Sequence, residues 1–508
     1  MLGIRSAPVC GLRRRLPSLG GPTLLPWWTR LSEAIASPTS KEVGHPTKEV
    51  DHSTSALASY KPKRGSESGN SGHKRAIVGY HGGIMDQVST CPHFPDCSGC
   101  GSMGVAYEVQ LDEKLASVEA TFEQFGPDLL GPDVGLSIAA SPKQMSYRNR
   151  VKLVAAVAND AREKEFTRAG PAPGNAPIAR LGLYRAGTHE VVDIPGCPVQ
   201  SEGINRAIEC VRDAIRSFAI PIYDEITHTG DLRFVSVRES QATSQILISL
   251  VTRTDHLPDT DALAEHLMNQ CEGLVGVCQN VNPDKGNVIF GHFDRVLAGR
   301  RFLEEVVCGV RIWLGSTSFF QVNTAVAQHV YESIVAGLGL SRDDVLLDLY
   351  AGVGTIGLVA AKHVNRVIAV EESAPAVDLG RQAAEDNDIR NITFHPGLVE
   401  EVLPELVAVR NPQPVAADGS AVAVNAPSVV ADRCVVVVNP PRKGLLPEVV
   451  KLLAETGPRR IAYLSCMPFS LVRDLNQFAK SGYRVIDIQC FDMFPQTPQV
   501  ETLAILER

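Results

Sequence analysis

A chain of 508 residues, 44% hydrophobic and 21% charged, has the composition of a soluble globular protein with two or three domains, not of a disordered or fibrous one. No run of 18 or more apolar residues occurs, which argues against any membrane-spanning helix. A formal charge of −8 excludes nucleic-acid binding through a global field, so any contact with phosphates must use local basic patches.

The charge is unevenly spread. Residues 1–90 carry 12 Lys+Arg against 6 Asp+Glu, leaving 37 against 51 for the remainder. The first 32 residues hold Arg5, Arg13, Arg14, Arg15 and Arg30 and no acid, and Pro17, Gly20, Gly21, Pro22 and Pro26 interrupt any apolar core. That is the balance of an organellar transit peptide and not of a secretory signal. The expected location is the mitochondrial matrix, with the cytoplasm as the alternative if the tail is merely basic. Residues 33–85 are rich in Ser, Thr, Lys, Gly and His and are predicted to be a disordered basic linker. Lys61, Lys63, Arg64, Lys74 and Arg75 form a diffuse basic arm within it.

Order is predicted to begin near Cys91, and residues 86–305 read as a mixed α+β domain opened by a cysteine loop. Cys91, Cys97 and Cys100 have the spacing C-x5-C-x2-C, which converges three thiolates on one centre; Cys197, in a loop shaped by Pro195 and Gly196, is the best fourth ligand. Spacing alone suits tetrahedral zinc and a four-iron cluster equally. Twelve cysteines in so long a chain are too few for a disulfide scaffold. Residues 107–125 have helical character. Tyr147-Arg-Asn-Arg-Val-Lys152 sets three cations beside an aromatic ring, a pattern that grips phosphate while stacking on a base, or else an exposed strand edge. Strands are expected at 150–157, 180–184, 232–237, 245–252 and 287–291, with a hairpin at 232–252. Between them Ile204, Ile208, Val211, Ile215 and Phe218 recur at steps of three and four, the core face of a helix.

From residue 306 onward β and α segments alternate, as in a mostly parallel sheet. The run Val345-Leu-Leu-Asp348 leads into a glycine turn (Gly352, Gly354, Gly357), and Leu358-Val-Ala-Ala361 then opens a helix. This is the strand–turn–helix that begins a nucleotide-binding α/β sheet. The next strand ends at Glu371, about 20 residues on, where such folds bind a ribose hydroxyl pair. Two further strand ends carry Asn439-Pro-Pro-Arg442 and Ser465-Cys466. Residues 411–432 are a Pro/Ala/Val-rich low-complexity insertion. In open α/β sheets, reacting groups gather at the carboxyl ends of the strands, which is where these signals fall.

Taken in order, the glycine turn, Phe320-Gln-Val-Asn323, Asn439-Pro-Pro-Arg-Lys-Gly444, Tyr463-Leu-Ser-Cys466 with Arg473-Asp474, and Asp492-Met-Phe-Pro-Gln-Thr497 through Glu501 resemble the RNA uracil-C5 methyltransferases. The resemblance covers roughly residues 91–508. It implies a Rossmann-like methyltransferase domain at 306–508, RNA as partner (rRNA favoured, tRNA related), and S-adenosylmethionine as methyl donor. No obligate protein partner is implied. By the same resemblance Cys466 matches the nucleophile that adds to uracil carbon 6, and Glu501 the base that removes the carbon-5 proton. Gln321, Tyr350, Gly352, Thr355, Glu371 and Asn439 match the cofactor site. Cys91, Cys97, Cys100 and Cys197 match the ligands of a [4Fe–4S] cluster in the branch acting on large-subunit rRNA, which favours that cluster over zinc.

The chain departs from the family pattern at Asn439, where Asp is usual, at Met467, where Asn is usual, and at Gln496 and Gln499, where His is frequent. Asn439 and Met467 motivate one alternative, a catalytically impaired organellar RNA-binding or ribosome-assembly factor. Asn-Pro-Pro motivates a second, an exocyclic-amine methyltransferase, but such enzymes normally follow it with an aromatic residue where this chain has Arg442.

Overall fold

The computed structural model describes residues 75–78, 88–158, 179–286, 288–408 and 433–508, all within the compact unit Asn70–Arg508. The transit-peptide segment, most of the 33–85 linker and the 411–432 insertion lie outside the described residues.

In chain order the elements are β1 (Arg75–Val78), α1 (Tyr107–Phe125), β2 (Leu136–Ala139), β3 (Arg150–Val157), β4 (Ala179–Tyr184), β5 (Val191–Asp193) and α2 (Glu202–Ser217). Next come β6 (Leu232–Glu239), β7 (Ile246–Thr252), α3 (Thr260–Gln270), β8 (Leu274–Val281), β9 (Phe293–Gly299), β10 (Leu303–Val307) and β11 (Val310–Leu314). The C-terminal part runs α4 (Thr324–Leu338), β12 (Val345–Leu349), α5 (Thr355–Ala360), β13 (Arg366–Glu371), α6 (Ala374–Asp386), β14 (Ile392–Pro396) and α7 (Val399–Ala408). It ends with β15 (Cys434–Val438), α8 (Pro447–Thr456), β16 (Arg460–Ser465), α9 (Pro468–Lys480), β17 (Arg484–Phe491) and β18 (Glu501–Glu507).

Two large sheets organise these elements. A nine-stranded sheet has the order β1-β2-β17-β18-β16-β15-β12-β13-β14. Its pairs are parallel except where β18 runs antiparallel to both β16 and β17. Every residue of β15, Cys-Val-Val-Val-Val, is buried, as a central parallel strand covered by helices on both faces requires. Alternation along the strands divides the core: Leu346, Val435 and Val437 pack on one face, Leu347, Leu349, Val436 and Val438 on the other.

The second sheet, β5-β4-β3-β6-β7-β8-β9, is antiparallel except between β7 and β8, which α3 connects as a crossover. The helical face read from sequence is α2: Ser201 caps it by accepting from the Ile204 N–H, and Ile204, Ile208, Val211 and Ile215 are buried against the sheet. The hairpin expected at 232–252 is the pair β6–β7.

Four local expectations are corrected. Arg75–Val78, inside the segment expected to be disordered, forms β1 and pairs in parallel with β2. The strand expected at 287–291 is a loop from Val288 onward, because Asn282 donates to the carbonyls of Val288 and Ile289 and Asn280 pairs with Gly291, taking the groups a ladder would use. The strand starts instead at Phe293. Tyr147 is core and not a stacking platform, 1% exposed with its hydroxyl donating to the Pro495 carbonyl. Nor is its strand an edge, since β3 is paired on both sides. Finally, α1 and β2, assigned by sequence to the 86–305 domain, join the C-terminal sheet, with β2 paired to β17.

Candidate active site

The site lies at the carboxyl ends of β12, β13, β15 and β16, in a cleft of about 680 Å³. That size accommodates a nucleoside-bearing ligand together with a second ring. Just beyond β12, Tyr350 takes a left-handed conformation (φ 61°), followed by Gly352 (φ 59°) and Gly354 (φ 73°). A side chain at Gly352 would meet nothing within 4 Å, so the main chain there is open to a ligand. Asp348 braces the turn from below, its carboxylate accepting from the Gly357 N–H at 2.8 Å. Burial pushes this carboxyl up to about 7.

At the end of β13, Glu371 accepts from the N–H groups of Gly352 and Ser373, both at 2.9 Å. A carboxylate has about four acceptor positions, so capacity remains for a hydroxyl pair. Gln321, Tyr350, Gly352, Glu371 and Asn439 all line the cleft. Thr355 does not; it is 6% exposed in the first turn of α5, beneath the glycine turn.

The glycine turn tolerates little change. Gly354 combines its positive φ with a Cβ position 2.5 Å from the Phe394 ring. Gly354→Ala is expected to destabilise the protein by about 2–3 kcal/mol and to weaken cofactor binding. Denaturant midpoints and cofactor titration of the parent and variant test this; an unchanged midpoint would refute it.

Two further strand ends bring a thiol and a carboxylate together. In the β16–β18 ladder Ser465 faces Thr502, so one step beyond it Cys466 comes opposite Glu501 on a neighbouring strand. Both line the cleft. Burial and then the Glu501 charge raise the Cys466 thiol, while Arg442, by charge and hydrogen bond, lowers it. Glu501 is 3% exposed, and burial pushes its carboxyl up to about 8 against the pull of Arg442. Arg442 thus acts on both groups. Sequence reading quoted it within Asn-Pro-Pro-Arg but gave it no role; its place at a strand end beside a candidate thiol was the available signal.

Two buried networks hold these pieces. Asp474 accepts from the Tyr463 hydroxyl at 2.7 Å and the Leu445 N–H at 2.8 Å, while Arg473 donates to the carbonyls of Lys443 and Leu445. The Arg473-Asp474 pair therefore fixes the loop that carries Arg442. Asp492 accepts from Lys114 at 2.5 Å and from Tyr107 at 2.6 Å, fastening the start of the loop that leads to Glu501 onto α1. Gln496 is wholly buried and bonded to Gln110 and Ser89, and Met467 caps α9 through its backbone. Gln496 thus serves the buried network, while Met467 is half-buried. Gln499 lines the cleft.

The four cysteines share one neighbourhood. Cys91, Cys97 and Cys100 border the apolar cluster that contains Cys197. Burial is the first cause raising Cys100, to about 12, and the charges of Cys197, Cys97 and Cys91 add to it. Cys97 accepts from the Gly99 N–H at 3.4 Å. Yet among the described residues no three His, Cys, Asp or Glu side chains form a group that could hold a metal ion. The thiols are gathered but not drawn onto one ion-sized point.

A glycine turn over a parallel sheet, with an acid at the next strand end and a thiol beside a carboxylate in the cleft, defines a Rossmann-like methyltransferase. The family model tRNA (Uracil-5-)-methyltransferase matches residues 310–508. An uncharacterised RNA methyltransferase of Gloeobacter violaceus is 33% identical over 82% of this chain and 82% of its own. Another, from Clostridium acetobutylicum, is 31% identical over 82% and 83%. The crystal structure of Pyrococcus abyssi tRNA (uracil-54, C5)-methyltransferase in complex with S-adenosyl-L-homocysteine superposes with a TM-score of 0.60 and 26% identity, covering 81% of this chain and 86% of that one. The chain belongs to the RNA uracil-5 methyltransferase family.

Proposed function

We propose that the protein transfers a methyl group from S-adenosylmethionine to carbon 5 of a uridine in structured RNA, through a covalent adduct on Cys466. The observation that carries this reading is the register that sets Cys466 opposite Glu501, with Arg442 acting on both, in a cleft bounded by the glycine turn.

S-adenosylmethionine, when bound, supplies an electrophilic methyl group, and Gln321, Tyr350, Gly352, Glu371 and Asn439 are the residues that would hold it. Carbon 5 of uracil is a poor nucleophile. The Cys466 thiolate adds to carbon 6, forming a C–S bond and moving an electron pair toward carbon 5 and the carbon-4 oxygen. The positive charge of Arg442 favours the thiolate form of Cys466. After carbon 5 has taken the methyl group, the Glu501 carboxylate removes its proton; the C–S bond then breaks and the thiolate leaves. A uridine within a stem must be turned out of its stack to reach the cleft.

We propose a [4Fe–4S] cluster at Cys91, Cys97, Cys100 and Cys197 on the family resemblance; the described residues form no group that could hold a metal ion. Anaerobic preparations should be brown and carry iron; colourless protein with stoichiometric zinc would overturn this assignment. Such a cluster is associated with the rRNA branch, while the matching family model and the Pyrococcus structure name tRNA.

The decisive test incubates the full chain with radiolabelled S-adenosylmethionine and organellar rRNA and tRNA separately, then maps 5-methyluridine. Methyl incorporation at carbon 5 supports the reading and assigns the substrate. No incorporation into either RNA would favour the catalytically impaired alternative. We further propose that residues 1–32 direct mitochondrial import; a reporter fused to them that stays in the cytosol would count against it.

A further inference from the structure

The face of the seven-stranded sheet turned away from α2 and α3 carries cations that are weakly neutralised. Arg150 on β3 stands directly opposite Arg238 on β6. Both are almost wholly enclosed, 9% and 3% exposed. Two guanidinium groups side by side with little water around them cost free energy unless negative charge arrives from elsewhere.

Their hydrogen bonds run to main-chain carbonyls. Arg150 donates to those of Ser316 and Ser318, and Arg238 donates to Ser318 at 2.5 Å. The Nε of Arg150, and the Nε and Nη1 of Arg238, are buried without a partner. Among the described residues Glu305 is the carboxylate whose charge acts on Arg238. It is already engaged by Ser240 and by the N–H groups of Gln241 and Ala242.

Lys152 lies two residues along β3 on the same face and is exposed. Its ammonium sits 5.0 Å from the centre of the Phe290 ring, with the Arg150 guanidinium 5.6 Å from the same ring. Burial, and then the charges of Arg150 and Arg238, bring Lys152 down to about 8. Ser318, the acceptor for both arginines, lines the cleft, and so does Phe319, which is 61% exposed. A weakly neutralised positive patch, with the partly exposed Phe290 ring on it, therefore adjoins the 316–319 segment, whose exposed Phe319 lines the cleft.

We propose that Lys152 and Phe290 form an RNA subsite beside the cleft, Lys152 pairing with a backbone phosphate and Phe290 stacking on a base near the target uridine. Arg150 and Arg238 are positioning residues: they hold the 316–318 segment and supply the positive field. Alternating charge and flat rings are the features of a nucleic-acid strand, and this combination of cation and aromatic face recognises them. An acidic peptide would use the lysine but not the ring. This inference rests on the RNA-methylation reading and extends it to the strand flanking the reacting base.

The test measures binding of oligouridylate to the full chain at pH 7 over a range of salt concentrations, for the parent, Lys152→Gln, Lys152→Arg and Phe290→Leu. Lys152→Gln is expected to lower the slope of log affinity against log salt by about one, and Lys152→Arg to restore it. Phe290→Leu is expected to weaken binding about tenfold with the slope unchanged. Cofactor affinity should not move, because neither residue lines the cleft. An unchanged slope in Lys152→Gln, or parent-like binding by Phe290→Leu, overturns the proposal. Methylation by the parent is read separately: its absence sinks the reading of the function, while parent turnover with unaltered variant binding sinks this subsite alone.

Discussion

Cys466→Ala is expected to abolish methyl transfer, with a loss of at least about 10⁴-fold in turnover. The thiolate supplies the electron pair that makes carbon 5 reactive, and among the described residues no other cysteine lines the cleft. RNA containing 5-fluorouracil should leave a denaturation-resistant protein–RNA species with the parent and none with the variant, because fluorine cannot depart as a proton does. RNA affinity should persist in the variant, since Cys466 is a modest part of a large contact surface. Parent protein that methylates such RNA without ever forming the adduct would disprove thiol addition.

Glu501→Gln should act one step later. Addition and methyl transfer remain possible, but release stalls, so turnover falls by about 10²–10⁴-fold. Methylated RNA should accumulate on the protein without any fluorinated base. The same substitution carries a stability signature with a defined sign. Burial raises the Glu501 carboxyl from 4.5 to about 8. The unfolded chain gives up this proton at lower pH than the folded one, so folding stability falls as pH rises from about 4.5 to about 8 and levels off above. Gln carries no such penalty. The variant should melt above the parent at pH 8 and alongside it near pH 4.5. A variant less stable than the parent at pH 8, or one that releases methylated RNA at the parental rate, would remove Glu501 from the proposed role.

What could be read in the sequence was local or ordered by motif. The glycine turn, the apolar run of β15 and the α2 face each follow from a few neighbouring side chains, and each stands where expected. Cys466 and Glu501 were recognisable by motif order, although 35 positions apart, because each marks one end of a strand. Long-range pairing was illegible. Nothing near residue 136 announces that β2 will lie against β17, or that Tyr107 and Lys114 will meet Asp492. Tyr147 misled for a related reason. Its neighbours are cationic, but its own environment is set by Pro495, a contact that no local pattern encodes. Arg442 was visible as a letter and not as a charge acting on two groups, because its partners come from other strands.

The position of β18 has a further consequence. It separates β16 from the outer strands β17, β2 and β1, so those three reach the rest of the sheet only across it. The same strand begins with the acid of the reactive pair. On the proposed mechanism, closing the sheet and placing the base are therefore one event, and a molecule that has not set this strand into its slot cannot finish a turnover.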